Sequence, residues 1–193
     1  APAARPRWTW LALAASLALV AVAGTSWREW TVRNLTALVN AAVRDHRFCT
    51  LTSTPGAQRL TLEEAARRYG VFNRALETLQ PPADALGGGP VRILERHSCV
   101  FDGERFAHIV LSYKGSTVSL LVPETGNRSA RVWGVGPPSS GAPSMLAAPD
   151  GFQVAAFHGA RRMVFVVSDL PSRDVQDVAQ AMAGPVMQAL STN

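Results

Sequence analysis

"VRILERHSCVFDGERFAHIVLSY", residues 91–113, is the stretch on which the fold turns. Side chains of an extended strand point alternately to opposite faces, and this stretch alternates on either side of Asp102-Gly103. An Asp-Gly pair suits a two-residue type I′ turn, because both central positions of that turn need positive φ. Such a turn sets Phe101 opposite Glu104 and, counting back, Cys99 opposite Phe106 and His97 opposite His108. "STVSLLV", 116–122, comes after a second turn at Lys114-Gly115 as a third strand. The expectation is an antiparallel meander over 91–122.

Toward the C-terminus, residues 123–151 are rich in Gly, Pro and Ser and read as a long loop carrying a short strand at "RVWGV", 131–135. "GFQVAAFHGARRMVFVVSD", 151–169, reads as a hairpin turning near His158-Gly159. "LPSRDVQDVAQAMAGPVMQAL", 170–190, reads as a closing amphipathic helix, with Pro171 near its start and Pro185 bending or ending it. Toward the N-terminus, "PPADALGGGP" at 81–90 ends all helix. "TLEE" at 61–64 has the form of a capping box, with Thr61 as N-cap and Glu64 reaching back. The helix it opens is broken in two by Gly70.

"WTWLALAASLALVAVAGTSW", 8–27, carries no charge, and twenty helical residues span roughly 30 Å, the thickness of a bilayer's hydrocarbon core. Tryptophans at both ends and Arg5 and Arg7 in front complete the pattern of a membrane span. "AVA" at 21–23 also fits a signal-peptide cleavage site; with either fate, the C-terminal part of the chain is exported. Leu35, Leu38, Val39, Ala42 and Val43 then recur on one helical face, extending the helix to about Arg47 as a stalk. The expected fold class is α+β: a transmembrane helix and stalk, then a small antiparallel sheet with helices packed on one face. The expected division is a cytoplasmic remnant at 1–7, a transmembrane helix at 8–27, an amphipathic stalk at 28–48 and an exported domain at 49–193.

The chain has 193 residues, of which 47% are hydrophobic and 17% charged, which fits one globular domain beside one anchor and not a disordered or many-pass protein. The net charge of +5 comes almost wholly from arginines scattered along the chain, whereas a surface that tracks phosphates shows a dense basic stripe. Nucleic acid is therefore not an expected partner.

The two cysteines, Cys49 and Cys99, each arrive with a histidine, His46 and His97. His97 and Cys99 are two apart on a strand and share a face, while His46 and Cys49 are three apart and face together on a helix. Three chemistries fit. A Cys49–Cys99 disulfide would close a loop of about fifty residues and stabilise by about 3 to 4 kcal/mol in the chain-entropy model. Zinc or copper would take His46, Cys49, His97 and Cys99 as ligands, with His108 as the reserve. Two unpaired buried cysteines with unrelated histidines would be the plain structural outcome. His158 reads as an exposed turn residue. No G-x-S-x-G, H-E-x-x-H, Walker loop or C-x-x-C-H motif occurs, and a Cys99 nucleophile would lack a nameable third group, so no enzyme is expected.

The ending "AAFHGARRMVFVVSDLPSRDVQDVAQAM", 155–182, with a span and stalk before it, resembles the extracytoplasmic half of bacterial single-pass transmembrane anti-sigma factors. Phe157, Gly159, Val164 to Val167, Ser168, Asp169, Leu170 and Pro171 match that outline, and "DHRFC" and "RHSCVF" resemble exported domains of the zinc-finger anti-sigma type. The resemblance implies a protein of the bacterial inner membrane that holds a sigma factor through a cytoplasmic module preceding residue 1. It implies a sensor domain outside the cytoplasm that passes on an envelope signal, commonly through an envelope protease. The alternative is an exported metal-handling or redox accessory protein that uses the His/Cys pairs.

Overall fold

The alternation over 91–122 folds into the expected meander. The computed structural model describes residues 8–51, 60–69, 72–82, 86–101, 104–123, 142–159 and 162–191. Strands β1 (Arg92–Phe101), β2 (Glu104–Tyr113) and β3 (Ser116–Pro123) pair antiparallel, with Phe101 opposite Glu104, Cys99 opposite Phe106 and His97 opposite His108. Asp102 and Gly103 lie outside the described residues. At the second turn Lys114 and Gly115 take φ of 51° and 80°, the left-handed pair that a type I′ turn requires.

The register of β1 shifts between Ile93 and Glu95, leaving Leu94 as the extra residue of a bulge. That shift has a consequence for both faces. Ile93 packs into one core while His97 and Cys99, an even number of residues further on, turn to the other.

The rest of the sheet comes from β4 (Ser144–Leu146), β5 (Gln153–Gly159) and β6 (Arg162–Ser168), and β6 pairs with β3 to give the order β1-β2-β3-β6-β5-β4. The expected hairpin over 151–169 is therefore present, with Gly159 opposite Arg162, and His158 belongs to β5 and is not a turn residue. β4 arises within the stretch read as loop, and the expected strand at 131–135 lies outside the described residues.

The expectation of helices on one sheet face needs correcting, because helices cover both. On one side α4 (Ser172–Ser191), α2 (Leu62–Tyr69) and α3 (Phe72–Glu77) bury Val175, Val178, Met182, Leu62 and Leu76 against Ile109, Leu120, Phe157 and Val166. On the other, Leu38, Val39, Ala42 and Val43 of α1 (Trp8–His46) bury Phe106, Leu121, Ala156, Met163 and Phe165. The cause is in the strands. "SLLV" and "MVFVV" are continuous apolar runs, which bury on both faces, and not strict alternations with one wet face. The second half of the expected stalk is thus a core helix.

α1 is 39 residues long. Among the described residues no helix is long and apolar enough to cross a membrane, so the expected transmembrane character of 8–27 finds no support there. Leu13, Leu17, Leu19, Val20 and Val22 are exposed along its first half.

Local signals fix the remaining boundaries. The Thr61 amide donates to Glu64 Oε2 at 3.0 Å and the Glu64 amide donates to Thr61 Oγ1 at 3.1 Å, a reciprocal box that starts α2. α2 ends at Tyr69 and α3 starts at Phe72, on either side of Gly70, which lies outside the described residues. At the step into α4, Ser168 Oγ donates to the Thr117 carbonyl at 2.8 Å and accepts from the Leu170 amide at 3.3 Å. α4 runs through Pro185 to Ser191, so Pro185 does not end it.

Candidate metal centre

The site lies on the α1 face of the sheet, where the end of the helix meets the β1–β2 hairpin. After His46 the helix widens into a π-helical turn, Arg47–Leu51, which carries Cys49. β1 supplies His97 and Cys99, and β2 supplies His108 directly across the ladder from His97, the two rings 4.6 Å apart between centroids. One donor atom from each of Cys49, His97, Cys99 and His108 lies within 4.8 Å of every other. His97 is 2% exposed, His108 0% and Cys49 5%, with Cys99 partly buried. Both cysteines are thiols and not a disulfide.

His46 is not in this group; His108 stands in its place. The sequence expectation assumed that residues three apart share a face, which holds at 3.6 residues per turn. The π-helical turn changes that angle. Cys49 Sγ instead meets Asp45 Oδ1 at 3.7 Å, one turn back, and His46 turns to the sheet with Nδ1 2.6 Å from Ser119 Oγ.

Ser119 Oγ is also 2.6 Å from His108 Nε2. A hydroxyl has one proton, so it donates to one imidazole and accepts from the other. Burial, followed by repulsion from His108, lowers the His46 pKa to about 4 and keeps that ring neutral, able to accept at Nδ1. The consistent assignment has His108 Nε2–H donating to Ser119 and the Ser119 hydroxyl donating to His46. His108 Nδ1 is then the nitrogen left for a cation, 3.1 Å from Asp45 Oδ2. The serine, histidine and carboxylate of Ser119, His108 and Asp45 stand in the order of a hydrolase triad, but Ser119 and His108 are both 0% exposed and offer a substrate no approach.

Asp45, itself 1% exposed, lies among these donors. Its Oδ2 is 3.1 Å from Cys99 Sγ and 3.1 Å from His108 Nδ1. The Cys49 thiol is held far below its usual range, first by the hydrogen bond from Cys99, then by His108 and His97 beside it. Cys99 is pushed up by Cys49, by burial and by Asp45, so the pair keeps its last proton on Cys99. For His108, burial works against the charged form, but Asp45 and Cys49 outweigh it and raise its pKa.

The donor set fits a metal ion. Both ring nitrogens of His97 and Nδ1 of His108 are buried with no hydrogen-bond partner, and leaving such groups unmet costs about 1–3 kcal/mol each. Glu95 Oε1 lies 3.2 Å from His97 Nδ1, but at an angle that makes no hydrogen bond. A bound cation would satisfy one nitrogen of each ring. Two sulfurs and two imidazole nitrogens in a closed pocket are a common zinc set, with bonds of about 2.0–2.3 Å. His158 lies apart, partly buried on β5, and burial alone lowers its pKa.

Sequence reasoning named Cys49, His97, Cys99 and His108 but missed Asp45 and Ser119. The signals were present: Asp45 is four residues before Cys49, and Ser119 interrupts the apolar run of β3. Comparison with protein-family models, with curated proteins and with solved structures returns no match for this chain.

Proposed function

We propose that this chain is a zinc-binding regulatory domain, in which the metal fastens the end of α1 to the β1–β2 hairpin. The supporting observation is the convergence of Cys49, His97, Cys99 and His108, from segments some fifty residues apart, around unpartnered imidazole nitrogens. Zinc is favoured over copper because the set is buried and evenly divided between sulfur and imidazole nitrogen. The test is metal analysis of the purified full-length chain. One zinc per chain, lost on replacing Cys99 with serine, supports the reading; stoichiometric copper, or no retained metal and no tight zinc uptake, refutes it.

The regulatory half of the proposal draws on the resemblance to anti-sigma factors, with one structural observation in its favour. The ligand-bearing end of α1 is continuous with a long exposed helix, so a change at the centre is joined to a distant segment by rigid backbone. In that reading residues 8–27 sit in a bilayer, a sigma factor is held on the cytoplasmic side and an envelope protease acts between. Carbonate extraction that releases the intact chain removes the anchor, and failure of the natural full-length protein to retain any sigma factor removes the regulator. The alternative, an exported metal-handling or redox accessory protein, would exchange its ion readily with small chelators.

A further inference from the structure

Asp45 does not behave as a bystander to the four donors. Its carboxylate reaches three of them: Oδ2 to Cys99 Sγ at 3.1 Å, Oδ2 to His108 Nδ1 at 3.1 Å, and Oδ1 to Cys49 Sγ at 3.7 Å. Donors that share a cation at bonds of about 2.0–2.3 Å stand roughly 3–4 Å from one another, and these separations fall in that range. The contact with His108 is also too bent for a hydrogen bond, since Nδ1 has no hydrogen-bond partner despite the nearby oxygen. The two atoms are close enough for one cation to bind both.

Without a cation the carboxylate is tolerated because the Cys99 thiol donates to it. A metal requires those ligands deprotonated. Once Cys99 is a thiolate and His108 Nδ1 bears a lone pair, neither has a hydrogen for Asp45, and the cation takes the place of both as its partner. Burial at 1% exposure gives the carboxylate no water to turn to.

We propose that Asp45 is a fifth donor of the centre, making it a two-sulfur, two-imidazole, one-carboxylate site. This rests on the metal-binding reading above. With two thiolates and a carboxylate around a divalent ion the centre carries a net charge of −1, which favours a divalent over a monovalent occupant. It also separates this site from a purely structural four-coordinate one.

The experiment uses the full chain, stripped with a chelator and titrated with Co²⁺, which reports thiolate ligation by near-ultraviolet charge transfer and coordination number by the strength of its visible d–d bands. The expected wild-type result is strong charge transfer with weak, five-coordinate d–d absorption. Asp45→Asn should keep the charge transfer, strengthen the d–d bands as the ion becomes tetrahedral, and lower zinc affinity by at least about 10–100-fold. Identical d–d bands and equal zinc affinity in wild type and D45N would overturn the fifth donor while leaving the metal site standing. Such a result would mean that Asp45 lies beside the ion without binding it, a place the asparagine amide can fill. Absence of charge transfer in the wild type would overturn both readings. X-ray absorption of the zinc-loaded wild type needs no variant: two sulfurs with three light donors support the proposal, and two with two refute it.

Discussion

Ser119 Oγ stands 2.6 Å from His108 Nε2, while the other ring nitrogen, Nδ1, lies 3.1 Å from Asp45 Oδ2. The hydroxyl accepts the Nε2 proton and thereby fixes the tautomer that leaves Nδ1 free to bind a cation. Ser119→Ala is expected to weaken zinc binding by about 10- to 100-fold while the protein stays folded, as losing an outer partner of a metal-ligating histidine usually does. Competition with a calibrated chelator measures it. An unchanged affinity would mean that the ring is oriented by packing alone.

Metal should stabilise the fold by mass action. At free zinc 100-fold above Kd the gain is about 2.7 kcal/mol, so a chelator should lower the Tm of the wild type. Cys99→Ser should have a low Tm that the chelator no longer moves. Both shifts are readable by calorimetry, and equal chelator sensitivity in the variant would exclude Cys99 from the ligand set.

Zinc affinity should rise with pH, because thiols and imidazoles shed protons to bind it. The sign is set by Cys99, His108 and their proton-holding environment: Cys99 and His108 are both raised, so protons compete there with the ion. Proton release measured during titration in two buffers of different ionisation enthalpy should show net loss of protons. Binding without proton release would mean that the sulfurs do not ligate.

Thr61→Ala removes the N-cap of α2 and should cost about 1 kcal/mol by denaturant melting. Glu64 is lowered first by its hydrogen bond from the Thr61 backbone and then by the Thr61 side chain. A carboxyl depressed in the folded state contributes stability above its unfolded pKa and loses it as pH falls through the folded one. The difference between wild type and T61A should therefore narrow in acid, and a constant difference would assign the effect to propensity alone.

Phe165 on β6 is 0% exposed and packs under α1 with Leu38, Val39 and Met163. Phe165→Ala should destabilise by about 3–5 kcal/mol. Because the cavity would open beneath the helix that bears Asp45 and Cys49, zinc affinity should fall with it. Loss of stability with undiminished zinc affinity would show that the centre holds α1 without help from the core.

The meander and the His97–His108 pairing were legible because a two-residue turn fixes register, and register fixes the face of every residue behind it. The second helical layer was not. "SLLV" and "MVFVV" carry apolar residues at both parities, and reading them as one-sided strands hides the face that α1 covers. His46 was misplaced for a local reason, the change from α to π winding just after it. Asp45 and Ser119 take their meaning from partners across the fold; Asp45 and Cys99 are 54 residues apart. No spacing rule along the chain reaches that far.

The exposed first half of α1 converts small angles into large displacements. From Leu38, the first buried apolar residue of the helix, back to Ala12, a helix rising 1.5 Å per residue extends roughly 39 Å. A tilt of about 10° at the buried end would sweep the far end through some 7 Å, by simple trigonometry on that length. Any change in how Asp45 and Cys49 are held would thus be read most sensitively at the tip of the arm, far from the atoms that cause it.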